Sequence, residues 1–222
     1  MARLYDISIT LHGDTPPWPG DTPFSCEWPW LIAKGDSVNV SSVTASPHVG
    51  THADAPLHVR DGWPGAQELR LESFFGPAVV VDVTEEEGEI SLEALTRAFG
   101  REPEKTIRQR PRVLLRTGQT IADGKFPESW PVLTESCTHA LLGFGLGLLG
   151  TDAPSVDLKE SRTLDVHRMI FTGNAAILEN LDLRRVTPGD YELMAFPLKL
   201  LGTDAAPVRA VLHDPELARG VP

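Results

Sequence analysis

His48-Val49-Gly50-Thr51-His52-Ala53-Asp54-Ala55-Pro56-Leu57-His58 gathers three of the seven histidines and one aspartate, with Pro47 and Pro56 framing them. On a straight strand His48 and His52 would stand about 13 Å apart at roughly 3.3 Å per residue, too far to share an ion. A single helical turn, capped by Ser46 with Pro47 at its first position, would bring His48 above His52. The backbone would then have to turn again before Pro56 to return Asp54 to the same place, a path that Gly50 and the prolines allow. Two imidazoles and a carboxylate suit zinc or manganese, with water as a further ligand. Three donors leave the set incomplete, so the fold must supply more from elsewhere.

Glu179 is one such donor. The run Ala175-Ala176-Ile177-Leu178-Glu179-Asn180-Leu181 reads as a buried strand, and a carboxylate on the face of Ala175 and Ile177 is costly to bury without a partner. His167, in Asp165-Val166-His167-Arg168, is the second candidate, with an exposed or core histidine as its equal alternative. His12, His139 and His213 have no such neighbours and read as ordinary histidines.

Outward from this stretch the chain reads as strands mixed with helices. Strands are predicted at Leu4 to Ile9, Pro77 to Val83, Val113 to Arg116, Leu146 to Gly150, Ala175 to Leu178, Tyr191 to Leu200 and Val208 to Leu212. From Phe24 to Ala45 the pattern is extended, and the valines change phase as if a bulge sat near Ser41-Ser42. Helices are predicted from a Ser91 cap to about Phe99, and from Thr134 to Leu142. These elements imply an α/β fold, one domain over residues 1–222, built on a mixed curved sheet or barrel-like core with flanking helices.

The 222 residues are 41% hydrophobic and 23% charged, an ordinary globular mixture, and the net charge is −11. That balance speaks against nucleic acid and anionic membrane as partners, since both need clustered Lys and Arg. No apolar run reaches the roughly 20 residues of a membrane span, and the N-terminus lacks the pattern of a signal peptide. A cytoplasmic protein is expected. Cys26 and Cys137, with no paired spacing, read as small core hydrophobes.

Two further signals need weighing. Trp18 lies in the rigid loop Thr15-Pro16-Pro17-Trp18-Pro19-Gly20-Asp21-Thr22-Pro23; the spacing favours a Trp that plugs the core, and the alternative is an aromatic platform for a flat ligand. Gly145-Leu146-Gly147-Leu148-Leu149-Gly150 matches GxGxxG, but a helical segment precedes it and Thr151-Asp152-Ala153-Pro154 follows. A dinucleotide needs the reverse context, strand then helix, so this reading is rejected.

The run HxGTHxDxPxH from His48 to His58 resembles the signature of the metal-dependent cyclase-like amide hydrolases, and most of all the kynurenine formamidase (arylformamidase) group among them. The resemblance extends to Tyr5-Asp6-Ile7-Ser8, Trp18-Pro19-Gly20-Asp21-Thr22-Pro23, Gly150-Thr151-Asp152-Ala153-Pro154-Ser155-Val156-Asp157, Ala176-Ile177-Leu178-Glu179 and Pro188-Gly189-Asp190-Tyr191-Glu192-Leu193. It implies a swivelling β/β/α type of fold, two divalent ions per chain (zinc or manganese) and a homodimer. His48, His52 and Asp54 would hold one ion, with Asp54 reaching a second that His167 binds and Glu179 bridges. His58 would be the proton donor and acceptor, and Trp18 would line the substrate pocket. The implied reaction is hydrolysis of an N-formyl aryl amide, N-formyl-L-kynurenine to L-kynurenine and formate. Isatin hydrolysis is the nearest alternative, and a non-catalytic metal-binding protein the alternative of another class. The segment Thr117 to Thr134 matches nothing in the resemblance.

Overall fold

The computed structural model describes residues 3–214. In chain order the elements are β1 Arg3–Asp6, β2 Ser25–Trp30, β3 Val40–Thr44, β4 His52–Asp54, β5 Phe75–Asp82, β6 Glu89–Ile90, α1 Leu92–Phe99, α2 Pro103–Gln109, β7 Arg112–Arg116, β8 Val132–Leu133, α3 Glu135–Gly143, β9 Leu148–Thr151, α4 Asp165–Thr172, β10 Ala176–Glu179, β11 Gly189–Met194, β12 Ala205–Pro207 and β13 Val211–Asp214.

Nine strands form one curled, half-barrel sheet in the order β1-β13-β11-β5-β7-β9-β10-β4-β12. Its centre, β5-β7-β9-β10, is parallel, and the flanking strands run antiparallel. Helical crossovers explain this, because parallel neighbours need a long connection that a hairpin cannot supply. Alternation then sorts the side chains. Val79, Val81, Val113, Leu115, Leu149 and Ile177 face the helices and pack on Leu95, Ile107, Leu141, Val166 and Ile170. Ala78, Val80, Leu114, Leu148 and Leu178 face the inside of the curl, against Leu193, Leu212 and Ile7. Both faces are covered, which is why these strands read as continuous apolar runs.

Ser91 caps α1 as expected, its hydroxyl accepting from the Ala94 N–H at 3.1 Å, and Thr134 caps α3 through the Cys137 N–H. The glycine run leads from α3 into β9, a helix-to-strand passage unfit for a pyrophosphate.

Several expectations need correcting. Phe24 to Ala45 is a hairpin: β2 and β3 pair antiparallel around a short helical turn at Ile32–Lys34, and the register shift lies between Glu27 and Trp30, across from Val40 and Ser42. Pro29 interrupts β2 there, and it has no N–H to give the ladder. Cys26 is exposed on this hairpin rather than in the core, while Cys137 is buried. Tyr191 to Leu200 stays a strand only to Met194, and two helices, α2 and α4, were absent from the sequence reading.

Candidate metal centre and cavity

β4 lies between β10 and β12, with Glu179 directly across from His52 and Ile177 across from Asp54. His52 and Asp54 are two residues apart on one strand, so both side chains emerge on one face, and their cross-strand partner Glu179 shares it. That face is the one the helices cover, and α4 delivers His167 onto it. No second turn between His52 and Asp54 exists, contrary to the sequence expectation; the extended backbone itself aligns them. His48 arrives from the turn before β4. Val49 N–H donates to Ser46 O at 3.1 Å and His48 N–H to Ser46 Oγ at 3.3 Å, so the Ser46-Pro47 cap forms, but the turn ends there instead of carrying on to His52. Gly50 then bends the chain at φ 72°, where an added Cβ would lie 2.4 Å from Leu11 Cδ2.

Five side chains converge. His48 Nδ1 and His52 Nε2 are 3.2 Å apart and lie 3.1 Å and 3.2 Å from Asp54 Oδ1. On the other side, His167 Nε2 lies 3.2 Å from Asp54 Oδ2 and 3.3 Å from Glu179 Oε1, while Glu179 Oε2 is 3.5 Å from His52 Nε2. Each carboxylate therefore presents one oxygen to each side. His52, Asp54, His167 and Glu179 are all buried, and His48 is partly so.

The outer nitrogens fix the rings. His48 Nε2 donates to Asp204 Oδ2 (3.0 Å), His52 Nδ1 to Gly50 O (2.9 Å) and His167 Nδ1 to Asp157 Oδ2 (2.6 Å). The neutral tautomers these partners select leave every inner nitrogen as a lone pair aimed at a carboxylate. Asp157 also accepts from the Val166 and His167 N–H groups, which pins the first turn of α4.

Such a cluster needs positive charge. Among the described residues no Lys or Arg pairs with Asp54 or Glu179, and Asp54 Oδ1 has no hydrogen bond, its two imidazole contacts lacking the geometry for one. Protons can fill the need. Burial opposes an imidazolium at His48 and at His52, yet the carboxylates outweigh it and push His48 up to about 9 and His52 up to about 10. Burial also works against charge on Asp54 and Glu179, yet the imidazoles hold both below the ordinary carboxylate range. A divalent ion answers the same demand with better geometry. Donors about 2.0–2.1 Å from one tetrahedral centre stand roughly 3.3 Å apart, close to the spacing of the His48-His52-Asp54 triangle. The five converging residues fit a metal, as two groups, His48, His52, Asp54 and Asp54, His167, Glu179; a third group, the less buried His48, His58 and Asp204, also brings its donor atoms within reach of one ion.

Beside the cluster opens a cavity of about 290 Å³, lined by Pro16, Trp18, Asp21, His48, His52, His58, Phe126, Pro154, Ser155, Leu164, His167, Glu179 and Asn180. His58 Nδ1 donates to Asp204 Oδ2 at 3.1 Å, and its ring centroid is 4.5 Å from that of His48. Trp18 meets Phe126 edge to face at 5.4 Å and Trp130 at 6.0 Å, so it both packs and lines the cavity.

All seven residues singled out from the sequence thus meet at one place. Four others there received no role. Phe126 and Trp130 come from the segment Thr117 to Thr134, Asp157 closes the Gly150 to Asp157 motif, and Asp204 lies in none of the motifs. Asp204 had a signal: Gly202-Thr203-Asp204-Ala205 repeats Gly150-Thr151-Asp152-Ala153 and echoes Gly50-Thr51-His52-Ala53. The placement of Asp204 against two histidines arises from β12 pairing with β4, Ala205 across from Asp54, which spacing alone does not reveal.

Known proteins resemble this chain over nearly its whole length. Kynurenine formamidase of Bordetella avium (strain 197N) is 42% identical over 214 residues, covering 96% of this chain and 99% of its own. A solved structure described as a potential metal-dependent hydrolase with cyclase activity superposes with a TM-score of 0.80 at 25% identity, over 96% of this chain and 98% of that one. Isatin hydrolase A from Ralstonia solanacearum shares the fold, with a TM-score of 0.78 at 23% identity over 96% of this chain and 92% of its own. The Cyclase family model matches residues 5–158, and with these relatives it establishes that the chain belongs to the cyclase family of hydrolases.

Proposed function

We propose that this chain is a metal-dependent amidohydrolase acting on N-formyl aryl amides, N-formyl-L-kynurenine to L-kynurenine and formate above all. One observation carries the reading: a histidine outside the metal cluster, His58, faces the same cavity as the cluster and the aromatic pair Trp18 and Phe126. The similarity to kynurenine formamidase supports it.

His48, His52 and Asp54 would hold one divalent ion, and His167, Glu179 and the second oxygen of Asp54 another, zinc being the better match to imidazole and carboxylate donors and manganese the alternative. Ions bound there polarise a carbonyl and acidify water. The chain's own residues do the rest. Trp18 and Phe126 clasp the aryl ring. Asp204 accepts the Nδ1–H of His58, leaving its Nε2 to exchange a proton in the cavity. Water adds to the formyl carbon, the carbon–nitrogen bond breaks, and His58 passes the water's proton to the departing amine.

The reading covers residues 1–222 as one domain in the cytoplasm; no described helix is long and apolar enough to cross a membrane. It also includes a homodimer. Every residue of strands β2 and β3 is exposed, including Trp28, Trp30, Val40 and Val43, and an isolated two-stranded hairpin is marginal in water, so a second copy would cover it.

The deciding experiment is turnover of N-formyl-L-kynurenine by the metal-loaded protein beside N-formylaniline, isatin and cyclic amides. Preference for isatin would move the chain to the isatin hydrolases, and no turnover of any would leave a metal-binding protein without catalysis. Replacing His58 by Ala should lower kcat about 10²- to 10⁴-fold with metal content unchanged; near-full turnover would remove it from the mechanism.

A further inference from the structure

Asn180 follows Glu179 at the end of β10 and lines the cavity. It is 4% exposed. Its backbone is held in the left-handed region at φ 55° by two hydrogen bonds: its N–H donates to Ala153 O at 3.1 Å, and its carbonyl accepts from Thr51 Oγ1 at 2.6 Å. The side chain has no such employment. Oδ1 is fully shielded and has no hydrogen-bond partner among the described residues, and Nδ2, which has none either, is the end of the carboxamide that keeps accessible surface.

Glycine would satisfy that backbone without strain, so the carboxamide is not needed for the turn. The shielded Oδ1 costs stability wherever the ligand sits, whereas the unemployed Nδ2 on the cavity wall is a donor that a ligand in the cavity can reach. Left-handed non-glycine residues of this kind cluster where ligands bind.

We propose that Asn180 Nδ2 donates a hydrogen bond to the formyl oxygen of the substrate and stabilises the charge that oxygen gains. The inference rests on the formamide-hydrolase reading. As the water oxygen bonds to the formyl carbon, the π pair of the C=O moves onto oxygen; it returns as the carbon–nitrogen bond breaks and the amine leaves with the proton from His58. Ions held by the cluster would polarise this oxygen, and a donor from the chain on the cavity wall beside Glu179 adds to that stabilisation. The inner imidazole nitrogens are turned to the cluster's carboxylates. A carboxamide NH₂ supplies a donor with no charge of its own.

The test is steady-state hydrolysis of N-formylaniline by metal-loaded wild type, Asn180→Gly and Asn180→Asp, with metal content and thermal melting measured on each. Both substitutions tolerate the left-handed backbone; aspartate keeps the shape and an acceptor but lacks the donor, and carries the test if the glycine variant folds poorly. We expect both to lose roughly 100-fold in kcat at nearly unchanged KM and metal content. Wild-type kcat in the glycine variant would overturn the inference. So would an aspartate variant that keeps kcat while glycine loses it, which would make Asn180 an acceptor, or a loss of metal matching the loss of rate. If wild type itself failed on every aryl formamide, the function reading would fall, and this inference with it.

Discussion

Glu179 stands directly across from His52 in the antiparallel pairing of β10 and β4, with Oε2 3.5 Å from His52 Nε2 and Oε1 3.3 Å from His167 Nε2 on α4. The carboxylate thus joins the sheet half of the cluster to the helix half.

Glu179→Gln keeps the shape and removes the charge. Affinity for zinc should fall at least about 100-fold, beyond the loss typical of partners that only orient ligands. Titration with a competing chelator measures it. Wild-type affinity in this variant would show that Glu179 is not a ligand.

Stripping metal should expose a pH dependence of known sign. His48 and His52 have folded values of about 9 and about 10, raised above the ordinary 6.5, so their contribution to stability is fully present below pH 6.5. It is lost as pH rises through those folded values. The metal-free protein should therefore melt at progressively lower temperature between about pH 7 and pH 10, and zinc addition near pH 7 should release protons, visible as a buffer-dependent heat in calorimetry. A flat profile with no proton release would contradict the charge state deduced for the cluster.

Phe126 should act on aryl substrates alone. With Trp18 it forms an edge-to-face pair at 5.4 Å, and such pairs contribute about 0.5–1.5 kcal/mol. Phe126→Ala should raise KM for N-formylaniline by roughly 2- to 10-fold on that scale while leaving a small aliphatic formamide unaffected. Equal effects on both would point to a general loosening of the cavity.

The hairpin should decide assembly. Trp28→Glu combined with Val43→Glu places charge on two side chains that are 51% and 63% exposed. Sedimentation equilibrium should show the wild type as a dimer and the double variant shifted to monomer. A variant that stays fully dimeric would place the interface elsewhere.

The central strands were legible because burial on both faces writes itself as unbroken apolar runs, as in Pro77 to Val83, and the start of α1 because Ser91 is a local cap. The hairpin was read as one strand since its turn at Ile32–Lys34 is carried by an ordinary apolar and basic segment ending at Gly35, with φ 98°. α4 escaped notice although it carries His167. Its start is fixed by Asp157, eight residues before Asp165, so no local cap announces it.

By itself the sequence marked the candidate donors, imidazoles and carboxylates at His48, His52 and Asp54 from their spacing and at His167 and Glu179 with the help of the resemblance, because residue type sets what can hold a cation. Only the tertiary structure decided how they meet. His52 and Asp54 align by strand alternation, Glu179 by cross-strand register, His167 by a helix crossing the sheet, and Asp204 and Asn180 by pairings that no local spacing encodes. Contacts between residues more than a hundred positions apart depend on sheet order, and sheet order is a property of the whole core.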